Sequence, residues 1–115
     1  MWSILRYDRV GSTNDVAKDA GAFGYPGFTV FVAREQTKGR GRRGRPWASP
    51  SGGLWMSLLL WPQFPVAVWP LITLAVGVAV VRSLGVIGLN AGLKWPNDVQ
   101  VRGRKIAGIL CESVL

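Results

Sequence analysis

A chain of 115 residues fits one domain or part of one, and with 49% apolar residues it has material for a core and no signature of disorder. It contains no histidine, which excludes imidazole bases and histidine metal sites, and its one cysteine, Cys111, excludes an internal disulfide and suits a reducing, cytoplasmic setting. The net charge is +8, and residues 34–45, with six basic residues and one acidic, supply five of those charges, so the basicity belongs to one stretch and points to an anionic ligand there.

Residues 1–10 hold no apolar block, so no signal peptide is expected. Trp2 to Asp8 alternates well enough for a strand. Ser12 or Thr13 caps a short helix through about Ala20, with Asp15 in its first turn, where the helix dipole favours a carboxylate. Residues 21–27 (GAFGYPG) form a turn. Phe28 to Arg34, rich in β-branched and aromatic residues, reads as a buried strand. A glycine-arginine loop follows, and Leu54 to Trp61 is the next strand. Prolines 62, 65 and 70 cut the uncharged stretch from Pro46 to Val81 into pieces. The longest, Val66 to Val81, is shorter than the roughly 20 residues of a membrane span, so no membrane association is expected.

Trp69 to Leu84 reads as a helix with Pro70 tolerated in its first turn. It is apolar on nearly every face and therefore calls for cover on more than one side. Leu93–Trp95 and Asp98–Val101 are short strands around Pro96-Asn97, and Arg102-Gly103 closes a tight hairpin into a strand over Arg104 to Ser113. The pattern is α+β, a mostly antiparallel mixed sheet with two helices. The chain ends inside an apolar strand at Val114-Leu115, which reads as a fragment or as a chain that pairs with another.

Three clusters carry chemistry. In Gly39-Arg-Gly-Arg-Arg-Gly-Arg-Pro-Trp47, four arginines alternate with three glycines and a tryptophan follows. Glycine lets a ligand approach the main chain closely, and arginine brings a permanently charged fork suited to carboxylate and phosphate. Glycine-arginine segments that bind RNA are repetitive and disordered, whereas this single copy lies between two apolar strands. It reads as an ordered loop for a small anion, with nucleic acid as the alternative ligand. In Lys94-Trp-Pro-Asn-Asp98, followed by Arg104-Lys105-Ile-Ala-Gly108, the turn is ordinary hairpin punctuation, but Lys94 and Lys105 read as strand cations facing a site. Ser12-Thr13-Asn14 is a helix cap that also offers three short polar side chains to a compact ligand.

Together with Glu35-Gln36-Thr37-Lys38 before the loop and Ile109-Leu-Cys-Glu112 after Gly108, these clusters resemble, in order and spacing, the catalytic domain of biotin protein ligases (biotin–[acetyl-CoA-carboxylase] ligases) over essentially the whole chain. The resemblance implies a class II aminoacyl-tRNA synthetase-like, biotin–lipoate ligase catalytic fold with helices on one face. Residues 1–115 would be the N-terminal part of that domain, without an N-terminal DNA-binding domain or the C-terminal β-domain. It implies that biotin and ATP form biotinyl-5′-AMP, from which the biotinyl group passes to one lysine of the biotin carboxyl carrier domain of acetyl-CoA carboxylase. Ser12, Thr13, Asn14 and Gln36 would bond the ureido head of biotin. Arg40, Gly41 and Arg42 would close over the biotin carboxylate and the α-phosphate. Arg45 and Lys105, with Arg42, would hold the ATP phosphates, Trp47 would pack near adenine, and Lys94 would sit at the reacting junction. Lys94 and Arg42 are thus the catalytic residues implied. No metal ligands are expected, Mg²⁺ arriving on the ATP phosphates. DNA is not an expected partner, and an exposed sheet edge makes a homodimer an open expectation. A lipoyl-type ligase on the same fold is the other enzyme alternative, against which the arginine-rich loop speaks.

Overall fold

The computed structural model describes residues 2–114. They form two compact units, one of residues 2–61 with Val114 and one of Pro62–Ser113. In the first, the order is β1 (Ser3–Val10), α1 (Thr13–Ala22), β2 (Thr29–Gln36) and β3 (Trp55–Leu59), with a 3₁₀ turn at Arg42–Gly44. β1 and β2 run parallel, Ser3 opposite Thr29 and Val10 opposite Gln36, and β2 pairs antiparallel with β3. The parallel pair follows from the ten-residue helix between the strands, because such a crossover carries the chain back to the end from which it started.

Helix α1 begins where the sequence asks it to. Ser12 is extended at φ −154° and its hydroxyl accepts the Asn14 N–H at 3.2 Å. Thr13, Ala17 and Ala20 recur at helical spacing and are buried, with Phe31 of β2 lying against the two alanines at 1% exposure. Leu5, Tyr7, Val16 and Leu59 close this core. Burying the Phe31 ring contributes about 1.5–3 kcal/mol. Strand β1 runs two residues further than expected, since Arg9 and Val10 stay in register with Glu35 and Gln36. The pairing continues beyond the strands, with Thr37 N–H donating to Val10 O and Lys38 N–H to Gly11 O.

The second unit holds a 3₁₀ turn (Val66–Val68), α2 (Leu71–Val86), β4 (Gly92–Lys94), β5 (Asp98–Val101) and β6 (Arg104–Gly108). Its sheet is antiparallel in the order β4-β5-β6, and α2 packs on β4 and β5. Arg102 and Gly103 both take positive φ, 53° and 76°, as a two-residue hairpin turn requires. The expected strand to Ser113 stops at Gly108. Past it, Ile109 still donates to Asn97 O and accepts from the Asn97 side chain at 3.0 Å, which closes the ladder. Helix α2 starts and ends two residues later than expected because the turn at Val66–Val68 absorbs Trp69, whose N–H bonds Val66 O. Gly77 is the helix residue pressed closest to its sheet, and a side chain there would meet Leu93. Leu71, Val78 and Val86 remain exposed, so the apolar helix is covered on one side. Among the described residues no helix is long and apolar enough to cross a membrane.

The fold is therefore α+β, and three of its four strand pairings are antiparallel. The strands divide into two three-stranded sheets, each with a helix packed on it.

Candidate functional site

The glycine-arginine segment is a hairpin. Gln36 bridges Ser49, the Trp47 N–H donates to Gly39 O at 2.8 Å, and the Gly41 N–H donates to Arg45 O at 2.7 Å. The tip is the 3₁₀ turn, in which Arg43 takes the left-handed conformation at φ 61° and Gly44 follows at φ 70°. Glycine is required at position 39, because a Cβ there would lie 2.6 Å from the Trp47 carbonyl oxygen and 2.9 Å from Gln36 Nε2. The two limbs of the hairpin can approach only if that side chain is missing.

At its base the hairpin joins a buried polar network. Gln36 Oε1 accepts the Thr13 N–H at 2.8 Å and the Thr13 hydroxyl at 3.1 Å, and Gln36 Nε2 donates to Ser49 Oγ at 3.0 Å. Ser49 Oγ in turn donates to Trp47 O. On the other side Thr13 Oγ1 lies 2.7 Å from Ser57 Oγ, and the Ser57 hydroxyl donates to Asn14 Oδ1. Thr13, Ser49 and Ser57 are each buried, and among the described residues no buried side-chain polar atom lacks a partner. Each group thus orients the next, which fixes the donors and acceptors of Asn14 and Gln36 before any ligand arrives.

Above this network is an open cleft of about 560 Å³, walled by Gln36, Gly39, Arg40, Trp47, Ser49 and Asp15. Arg40 is held there by Asp15, with Nη2 donating to one carboxylate oxygen at 2.8 Å and Nη1 to the other at 3.2 Å. Arg42 and Arg45 are exposed at the tip, and Trp47 is half-buried. The first unit therefore brings together Ser12, Thr13, Asn14, Gln36, Arg40, Gly41 and Trp47, with the cations of Arg42 and Arg45 on the same hairpin.

Lys94 and Lys105 belong to the second unit. Lys94 ends β4, exposed, with Asp98 as its register partner across the sheet. Lys105 on β6 is ion-paired to Asp98 at 2.9 Å. Asp98 thus has Lys94, expected at the reacting junction, across the ladder from it, and Lys105, expected on the ATP phosphates, in direct contact.

Sequence reasoning missed three residues of the first unit. Ser57 is the one hydroxyl in the apolar run Trp55–Leu60, a polar side chain on an inward strand face, and that signal was available. Ser49 looked like loop composition, and Asp15 like an ordinary first-turn acid.

The profile of the biotin/lipoate A/B protein ligase family matches residues 7–115. The chain is 40% identical over 111 residues to the bifunctional ligase/repressor BirA of Bacillus spizizenii, covering 95% of this chain and 34% of that protein. It is 41% identical over 111 residues to the biotin–[acetyl-CoA-carboxylase] ligase of Mycobacterium tuberculosis, covering 90% of this chain and 42% of that one. Its fold matches the biotin protein ligase of Aquifex aeolicus in complex with biotin and ATP, with a TM-score of 0.80 and 36% identity over 98% of this chain and 47% of the other. The Leishmania major biotin protein ligase in complex with biotinyl-5-AMP gives a TM-score of 0.76 at 35% identity, over 97% of this chain and 52% of that one. The chain thus spans about a third to a half of the length of these relatives.

Proposed function

The chain belongs to the biotin/lipoate A/B protein ligase family, and we propose that it carries biotin activation in an ATP-dependent ligase that transfers biotin to a lysine of the biotin carboxyl carrier domain of acetyl-CoA carboxylase. The observation that carries this reading is the cleft in which Gln36 and Ser49, bonded to each other and, through Gln36, to the buried Thr13 behind them, meet the guanidinium of Arg40 and the ring of Trp47. A compact polar head with a carboxylate at the far end of an aliphatic arm fits a site of that composition. The A. aeolicus relative, in complex with biotin and ATP, supports the same pairing of ligands.

In this reading Ser12, Thr13, Asn14 and Gln36 receive the ureido head, and Arg40, Gly41 and Arg42 close over the carboxylate and the α-phosphate. Arg45 and Lys105 hold the remaining phosphates with Arg42, Trp47 packs near adenine, and Lys94 acts at the reacting junction. A biotin carboxylate oxygen attacks the α-phosphorus and pyrophosphate leaves with the electrons of the broken P–O bond. The nucleophile is already ionised, so no base is needed. The barrier comes from bringing two anions together, and each cation aimed at the developing charge contributes about 3 kcal/mol. The lysine amine of the carrier then attacks the acyl carbon and AMP departs. Among the described residues no group of three or more His, Cys, Asp or Glu forms a metal site. Mg²⁺ belongs to this reading as the counter-ion of the nucleotide, and no step is routed through it. ATP as co-substrate and an unpaired, exposed Cys111 suit the cytoplasm.

The test is exchange of labelled pyrophosphate into ATP by this chain with Mg²⁺ present. Exchange that appears only when biotin is added supports the reading. A folded chain that shows no exchange but binds RNA with steep salt dependence overturns it in favour of nucleic-acid binding through the same arginines.

A further inference from the structure

We infer that Asp15 is the positioning residue of this site. It holds Arg40 in the orientation from which that arginine meets the substrate anion. The inference rests on the ligase reading of the cleft, in which Arg40 contacts the biotin carboxylate and the α-phosphate.

Helix α1 does not require this carboxylate as a cap. The Ser12 hydroxyl already accepts the Asn14 N–H, and the Asp15 side chain reaches instead to an arginine 25 residues away in sequence. The contact uses both terminal nitrogens of the guanidinium and both carboxylate oxygens, the two-point geometry that fixes the plane of the fork as well as its place. Of the four arginines in the hairpin, Arg40 is the one seen ion-paired, to Asp15. It is also the one that lines the cleft. Its backbone is fixed by the bridge between Arg40 and Pro46, so the side-chain torsions are the freedom that remains, and Asp15 removes it. Asp15 itself lines the cleft, within reach of an anion bound there.

That last fact gives a test of sign. A carboxylate next to an anion site repels the anion, so if Asp15 were a bystander, Asp15→Asn would tighten ATP binding or leave it unchanged. A positioning role requires the opposite. Pyrophosphate–ATP exchange and calorimetric binding of inorganic pyrophosphate would be measured on the full chain, on Asp15→Asn, Asp15→Glu, Arg40→Ala and the Asp15→Asn/Arg40→Ala pair. Asp8→Asn, an exposed carboxylate outside the cleft, is the charge control.

The expected result is a loss of ten-fold or more in exchange kcat/KM and weaker pyrophosphate binding for Asp15→Asn, partial recovery in Asp15→Glu, and a double variant no worse than Arg40→Ala alone. Thermal unfolding of Asp15→Asn should match that of Asp8→Asn. Exchange and pyrophosphate affinity in Asp15→Asn equal to or better than the parent overturn the inference while leaving the ligase reading intact. Strictly additive losses in the double variant also overturn it. A parent chain that neither exchanges nor binds pyrophosphate overturns the inference together with the reading beneath it.

Discussion

Thr13, Ser49 and Ser57 are buried and bonded to one another or to Gln36 and Asn14, whereas Lys94 lies exposed at the end of a short strand and Lys105 is ion-paired to Asp98. The first unit treats its polar side chains as a rigid pattern of donors and acceptors. The second presents the side chains proposed to act in the reaction, Lys94 and Lys105, as long cations on its strands. The difference fits what each is proposed to hold. A neutral polar head is distinguished by the direction of each hydrogen bond, which only mutually constrained groups can fix in advance. A phosphate needs charge of the right sign nearby, and a flexible ammonium supplies that without a buried network.

The comparison is broken most severely by removing function without structure. Lys94→Ala should lower biotin-dependent exchange by about 100-fold or more, the scale of one lost charge-stabilising group. Its thermal unfolding should stay at the parent value, because the side chain is exposed. A parallel fall in both would assign Lys94 to the fold instead of the reaction. Arg42→Gly belongs with it: exposed at the hairpin tip, it should release more free biotinyl-5′-AMP into solution with no change in melting. An unchanged lifetime of the bound adenylate would remove Arg42 from the proposed seal.

In the first unit, structure and function should fall together. Gly39→Ala puts a methyl group against the Trp47 carbonyl, which is backbone and cannot swing away, and should cost about 1–3 kcal/mol. Chemical denaturation measures that loss, and calorimetry should show biotin affinity falling with it. Ser57→Ala removes the hydrogen bond to Asn14 Oδ1 and should destabilise by about 0.5–1.5 kcal/mol with a raised biotin KM. Loss of stability with unchanged KM would separate the network from the ligand. The smallest effect belongs to Asp8→Asn, which breaks an exposed pair with Arg34 at 3.8 Å and should change stability by at most about 0.5 kcal/mol.

Local chemistry was legible in the sequence. A cap at Ser12 or Thr13, the Arg102-Gly103 turn and the apolar α2 all followed from residue type and spacing, since each depends on neighbours a few positions away, and the structure puts the cap at Ser12. Strand ends were less legible, as at Gly108, because a ladder stops where its partner strand does and not where apolar residues run out. The parallel pairing of β1 and β2 is likewise a consequence of how the helix returns the chain.

What the sequence determined by itself was the inventory of candidate residues: a polar triplet, a glycine-arginine loop with its tryptophan, and two lysines near a Pro-Asn-Asp turn. What only the tertiary structure decided was who bonds to whom. Ser57 meets Asn14 across 43 residues, Thr13 meets Gln36 across 23, and Asp15 meets Arg40 across 25. No periodicity encodes such partners. They are set by strand register and by where α1 lies on the sheet, which bring distant polar groups to hydrogen-bond range where burial makes an unmet bond costly.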